Sequence, residues 1–249
     1  MAFPHLIHGS EEEVFNSYST ERNVMIGAKM MLADGRLFRY THVGATALVV
    51  GSLNQGVVHT TNYSGEAVGT MAAGVTVLTG VGSTAANGAI DQFKYGYVYT
   101  DNATTLPMMQ IKSNTLITAA AETGTITLFT ATPTIIAAGN TLCYFENPWE
   151  DVIVKPASAE TAPVVGWAKT AATAEYWAWL QTKGPTTALY DSSTTAIAGI
   201  GDPIAPDQAV AGAISGVADG EPDTVLIIGS ALGLVEGDTE QTPIWARID

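Results

Sequence analysis

An all-β fold follows from three observations. Only 14% of residues are charged, which is poor material for exposed helices built on Glu, Lys and Arg. Short β-branched or aromatic runs recur about every ten residues, separated by Gly, Asn, Asp or Pro. No run of about 18 apolar residues is present to suggest a spanning helix. The expected organisation is an N-terminal extended arm, residues 1–45, followed by two small β-barrel or β-sandwich domains, residues 46–155 and 156–249.

The arm is the most polar part of the chain. In "HGSEEEVFNSYSTERNVMIGAKMML" neither helical nor strand periodicity is sustained. Ser10 ahead of Glu11, Glu12 and Glu13 suits a short helix start, with acids against the positive end of the dipole. The opening "MAFPHLIHGSEEEVF" lacks the basic and apolar regions of a secretory signal.

Strands of the first domain are expected in "TALVVG" (46–51), "GVTVLTG" (74–80), "YGYVYTD" (95–101), "LPMMQIKS" (106–113), "GTITLFT" (124–130), "NTLCYFENP" (140–148) and "DVIVKP" (151–156). "STAANGAIDQF" reads as an irregular turn or one loose helical turn, and "KPASAETAP" (155–163) as a linker. A second series follows in "VVGWAKT", "YWAWLQT", "TTALYD", "DPIAPD", "AVAGAIS", "TVLIIGSALGLV" and "TPIWARID". The glycines of "VVGWA" (164–168) and "IIGSA" (227–231) echo one another and mark bulges or close backbone approach.

In "YWAWLQTKGP" (176–185) the strand period puts Trp177, Trp179 and Gln181 on one face and Tyr176, Ala178 and Leu180 on the other. Gly184-Pro185 is expected to end that strand, because proline brings no donor to the ladder. The tryptophans serve either a core or subunit contact, or a sugar-stacking surface.

Charge narrows the ligands. The formal net charge is −14, with twelve acids against three bases in residues 156–249. Such a surface repels phosphate and anionic lipid, so neither nucleic acid nor membrane is an expected partner. The single Cys143 permits no intrachain disulfide and reads as a buried structural thiol.

A search for chemistry finds no signature. His5 and His8 lack ligand partners at metal spacing, and His42 and His59 stand alone in strand-like contexts. "TGVGSTAANG" (79–88) lacks the Gly-Lys-Ser/Thr of a phosphate loop and reads as a tight interstrand loop. "DGEPD" (219–223) and "EGDTE" (236–240) are oxygen-rich turns of the kind calcium uses, but neither follows the twelve-residue ligand loop, so solvated hairpin tips are the default. A carboxylate-dependent hydrolase has only the abundance of acids behind it. No enzyme activity, cofactor or metal is expected.

Several segments resemble a group of tailed-phage capsid decoration, or cement, proteins of marine phage type. "DGRLFRYTHVGATALVVGSLNQ" (34–55) is similar to that group's opening segment, "YGYVYTDNATTLPMMQIKSN" (95–114) to its central hairpin, and "TLCYFENPWEDVIVKP" (141–156) to its exit from the first domain. "VVGWAKTAATAEYWAWLQTKGP" (164–185) and "TPIWARID" (242–249) are similar to its C-terminal domain, with Ala178 where the group usually has glycine. The resemblance implies a structural virion protein on the capsid exterior, assembled in the host cytoplasm. Its implied partner is the major capsid protein, with the chain itself a homo-oligomer, a trimer favoured. Arg36, Phe38, Arg39 and Tyr40 are the expected arm anchors on the capsid, and Trp177 and Trp179 the expected core or subunit contacts. The alternative is a glycan-binding or adhesive tail or fibre module.

Overall fold

Two chain crossings, at Val57/Val58 and Asn147/Pro148, divide the protein into two units. The computed structural model describes residues 6–64, 66–101, 106–119, 123–218, 225–233 and 237–249. Both units are β-structured, as the composition predicts. No helix among the described residues is long and apolar enough to cross a membrane.

The unit formed by residues 58–147 carries β5 (Glu66–Ala67), β6 (Val77–Val81), β7 (Tyr97–Thr100), β8 (Met109–Asn114), β9 (Gly124–Leu128) and β10 (Thr141–Phe145). They make one antiparallel sheet in the order β5-β10-β7-β8-β9-β6. Its core gathers alternate strand residues such as Leu78, Val98, Ile111, Ile126 and Leu142 around Tyr63, Phe93 and Tyr144. Those three rings meet edge-on or tilted at centroid distances of 4.8–5.5 Å, a geometry that aromatic quadrupoles favour. Cys143 is buried and free, as expected of a structural thiol.

Among its described residues the other unit contains α1 (Glu11–Val14) and eleven strands. Six of them are β1 (Leu6–His8), β2 (Lys29–Met31), β3 (Leu37–His42), β4 (Leu53–Gln55), β11 (Ile153–Val154) and β12 (Val164–Ala168). The others are β13 (Trp177–Leu189), β14 (Pro203–Pro206), β15 (Ile214–Gly216), β16 (Gly229–Ala231) and β17 (Gln241–Arg247). The sheet runs β1-β2-β3-β13-β17-β16-β14-β15, with β12 also pairing β13 and β4, and β11 pairing β4.

Three expectations are corrected here. Of the expected arm, the described residues 6–45 are not separate, since β2 and β3 are strands of this sheet and Tyr40 stands opposite Trp179 in register. Leaving Phe38 and Tyr40 outside a core would forfeit the burial of two large rings, about 1.5–3 kcal/mol each, and pairing with β13 covers both. The boundary at 155/156 is not a division either. Lys155 is fully buried, and "KPASAETAP" joins β11 to β12, both of which pair with β4. The two β series are therefore nested, one unit being inserted in the other, and not consecutive.

The third correction concerns Gly184-Pro185, through which β13 continues to Leu189. β3 pairs no further than Lys183, and β17 takes over from there. Past that handover Pro185 has a named sheet neighbour on one side only, the position a proline tolerates. Gly184 adopts φ +91° at the handover, a left-handed conformation that favours glycine. The two echoed glycines behave as expected. β12 slips register between Val164 and Gly166, where a Cβ would lie 2.7 Å from the Gln181 carbonyl oxygen, and one on Gly229 would collide with that of Trp245.

Candidate functional site

β13 sorts its side chains to two separate cores. Trp179, 1% exposed, packs with Val14, Met30, Leu32, Phe38 and Tyr40, with Trp177 at the edge of that group. Ala178 and Leu180 face Val43, Leu48, Val152, Val165, Ala168 and Ala172. The period-two assignment therefore holds, and both faces are covered. Of the six expected contact residues, Phe38, Tyr40 and Trp179 are consumed inside their own unit. Neither a capsid anchor nor a sugar platform remains available from those three side chains.

The two arginines are also engaged within the unit. Arg36 pairs with Glu11 and with Asp34, whose Oδ2 accepts from Nε at 2.6 Å. Arg39 forks onto Asp249, with Nε to Oδ2 at 2.9 Å and Nη2 to Oδ1 at 2.7 Å. Its Nη1 donates to the Gly27 carbonyl at 2.8 Å, and its guanidinium lies 4.8 Å from the Trp149 ring centroid. Lys29 and the Thr182 hydroxyl complete the surroundings of the Asp249 carboxylate.

Trp177 leads to a group of titratable side chains. Its ring lies 4.6 Å, centroid to centroid, from that of His42, the last residue of β3, tilted by 40°. Segment 149–152 runs alongside, joined by His42 N–H to the Trp149 carbonyl and Val152 N–H to the His42 carbonyl, both 3.0 Å. This brings Glu150 Oε1 to 2.6 Å and Asp151 Oδ1 to 3.2 Å from His42 Nδ1. Glu175 approaches the other ring nitrogen at 4.0 Å. Asp151 and Glu175 both take left-handed backbone, φ +47° and +62°. Burial alone would push the imidazole pKa down, but the Asp151 and Glu150 carboxylates outweigh it and raise it to about 10.

That environment defines what His42 does. A ring charged at neutral pH has no lone pair to accept a proton, so it is no general base. His42, Glu150 and Asp151 offer three donors within 4.8 Å of one another, as a metal site would. Two ligands each about 2.1 Å from one ion stand roughly 3 Å or more apart, however, and Nδ1 and Glu150 are closer than that. The spacing fits a proton held between imidazole and carboxylates. The carboxylates around His42 lie more than a hundred residues away in the chain, where the local pattern gives no sign of them.

His8 lies exposed on β1, and His59 approaches Ser64 at 3.3 Å and Phe145 edge-on. "TGVGSTAANG" leaves β6 into a tight loop held by Thr84 N–H to the Asn62 carbonyl. "DGEPD" and His5 lie outside the described residues, as does Glu236.

One sheet face is left uncovered. In β17 Thr242, Ile244 and Ala246 point inward, and Gln241, Pro243, Trp245 and Arg247 outward. Lys183, Pro185 and Thr187 of β13 are exposed opposite Arg247, Trp245 and Pro243. Trp245 is 39% exposed, and Leu232, whose N–H donates to the Pro243 carbonyl, extends the apolar strip. Lys183 and Arg247 are like charges directly opposite in register, a destabilising arrangement, and no described carboxylate pairs with either. No protein-family model, curated protein or solved structure matches this chain.

Proposed function

We propose that this chain is a structural virion protein that binds the outside of an icosahedral phage capsid and cements neighbouring subunits of the major capsid protein. The sequence resemblance motivates the reading, and the Lys183–Trp245–Arg247 face is the observation that supports it. Tryptophan and arginine dominate the energetics of protein contacts, and an apolar strip rimmed by charge is the usual form of such a contact. Two unpaired cations on a chain of net charge −14 select a partner surface carrying carboxylates. This face replaces the arm as the proposed contact.

The test is the copy number of the chain in purified particles relative to the major shell protein. About one copy per shell subunit, lost on Trp245→Ala or on Lys183→Glu with Arg247→Glu, supports cementing through this face. A handful of copies per particle indicates a tail or fibre component, and absence from particles overturns the reading.

A further inference from the structure

Asp207 follows β14 and is fully buried. Its Oδ2 accepts the Ala209 and Val210 N–H groups at 2.6 and 2.7 Å. Its Oδ1 is buried and has no hydrogen-bond partner. Other buried atoms share that condition, but among the described residues Asp207 Oδ1 is the only one on a carboxylate. An unpartnered carboxylate oxygen is the most costly kind to bury, and such a group calls for an ion or water.

Its surroundings are rich in oxygen. The Asp191 carboxyl, itself 1% exposed, and Thr194 lie beside the Asp207 carboxyl and act on it electrostatically. Two segments flanking β15 bring the acids together, with Asp191 N–H donating to the Ile214 carbonyl and Asp207 N–H to the Ala213 carbonyl. Asp191 in turn contacts Asp238, which is exposed and accepts the Ser192 N–H at 3.0 Å. Asp238 is the described acid of the "EGDTE" turn nearest this group. The cation in the vicinity is Lys155, buried, donating to the Asp207 backbone carbonyl and 3.9 Å from Glu160. The charges acting on that ammonium are the carboxylates of Glu160 and Asp207.

We propose that Asp191, Asp207 and the Thr194 hydroxyl form a calcium site, with Asp238 at its solvent side. The donors are all oxygen, without imidazole or thiolate, which selects a hard cation over zinc or copper. Ligands drawn from loops suit calcium's variable coordination better than magnesium's strict octahedron. The site is independent of the virion reading.

Calorimetric titration of the chelator-treated full chain with calcium chloride tests it. A single site with a dissociation constant on the order of 10⁻⁴ M is expected, in the range of weak calcium modules. Asp207→Asn keeps an oxygen for the Ala209 and Val210 N–H groups and should weaken binding by about tenfold or more. If that variant fails to fold, Asp238→Asn, at an exposed position, should still weaken binding by about threefold. No calcium heat at millimolar concentration means that a shared proton bridges the two acids, and overturns the site. So does unchanged affinity in both variants, or magnesium binding as tightly as calcium.

Discussion

Tyr40 and Trp179 stand opposite one another across the β3–β13 pairing, their ring centroids 5.1 Å apart and tilted by 56°. The contact ties residues from the supposed arm into the middle of the sheet. Trp179→Ala should therefore cost about 3–5 kcal/mol, the range for emptying a buried aromatic site. Trp245→Ala on the uncovered face should cost about 1 kcal/mol or less. Chemical denaturation of the two variants checks the contrast, and equal losses would contradict the assignment of faces.

Gly229 supplies a second test. Its backbone is free of left-handed strain, yet an added Cβ would collide with the Trp245 carbonyl. Gly229→Ala should cost about 1–3 kcal/mol by overpacking alone. Gly139 is the converse case, with φ +85° and open space around it, so Gly139→Ala pays only the backbone cost of about 1–2 kcal/mol. The double variant should be additive, because the positions lie in different units.

Asp249 gathers Arg39, Lys29 and Thr182. Burial would raise its carboxyl pKa, but the Arg39 hydrogen bonds, then Thr182 and the charges of Arg39 and Lys29, hold it below the ordinary value. The stability it contributes is present above the unfolded carboxylate value of about 4 and is lost as pH falls through the lower folded one. Asp249→Asn should cost about 1–3 kcal/mol at pH 7 and flatten the acid limb of the stability curve. Denaturant midpoints from pH 2 to 7 read both effects.

The runs that became strands were legible because β-branched and aromatic residues recur between turn formers, and Gly166 and Gly229 announced close approach. Leu37–His42 was not, because only Phe38 and Tyr40 alternate about Arg39 before the polar Thr41 and His42, and the run is embedded in a polar segment. Nor does period two say which face is inward. In "TPIWARID" the inward set is Thr242, Ile244 and Ala246, and the larger Trp245 is left outside. There the small Ala246 stands opposite Gly229 of β16, and Ile244 opposite the small Ala231. The nesting of the units and the partners of His42 depend on contacts across more than a hundred residues, which local pattern does not encode.

His42 gives the clearest pH signature. Its pKa is raised from 6.5 unfolded to about 10 folded, so the folded state holds the proton more tightly. Its contribution is therefore complete below about pH 6.5, fades as pH rises, and is gone above about pH 10. The side chain is partly open to water, and after solvent screening the effect is about 1–2 kcal/mol. His42→Gln should lack this alkaline slope and be less stable than the natural chain at pH 6, where Glu150 and Asp151 lose their counter-charge. Glu150→Gln with Asp151→Asn should return the imidazole toward its ordinary titration, read directly by NMR. Parallel stability curves for natural and His42→Gln chains from pH 6 to 10 would show that the imidazolium is not held by these carboxylates.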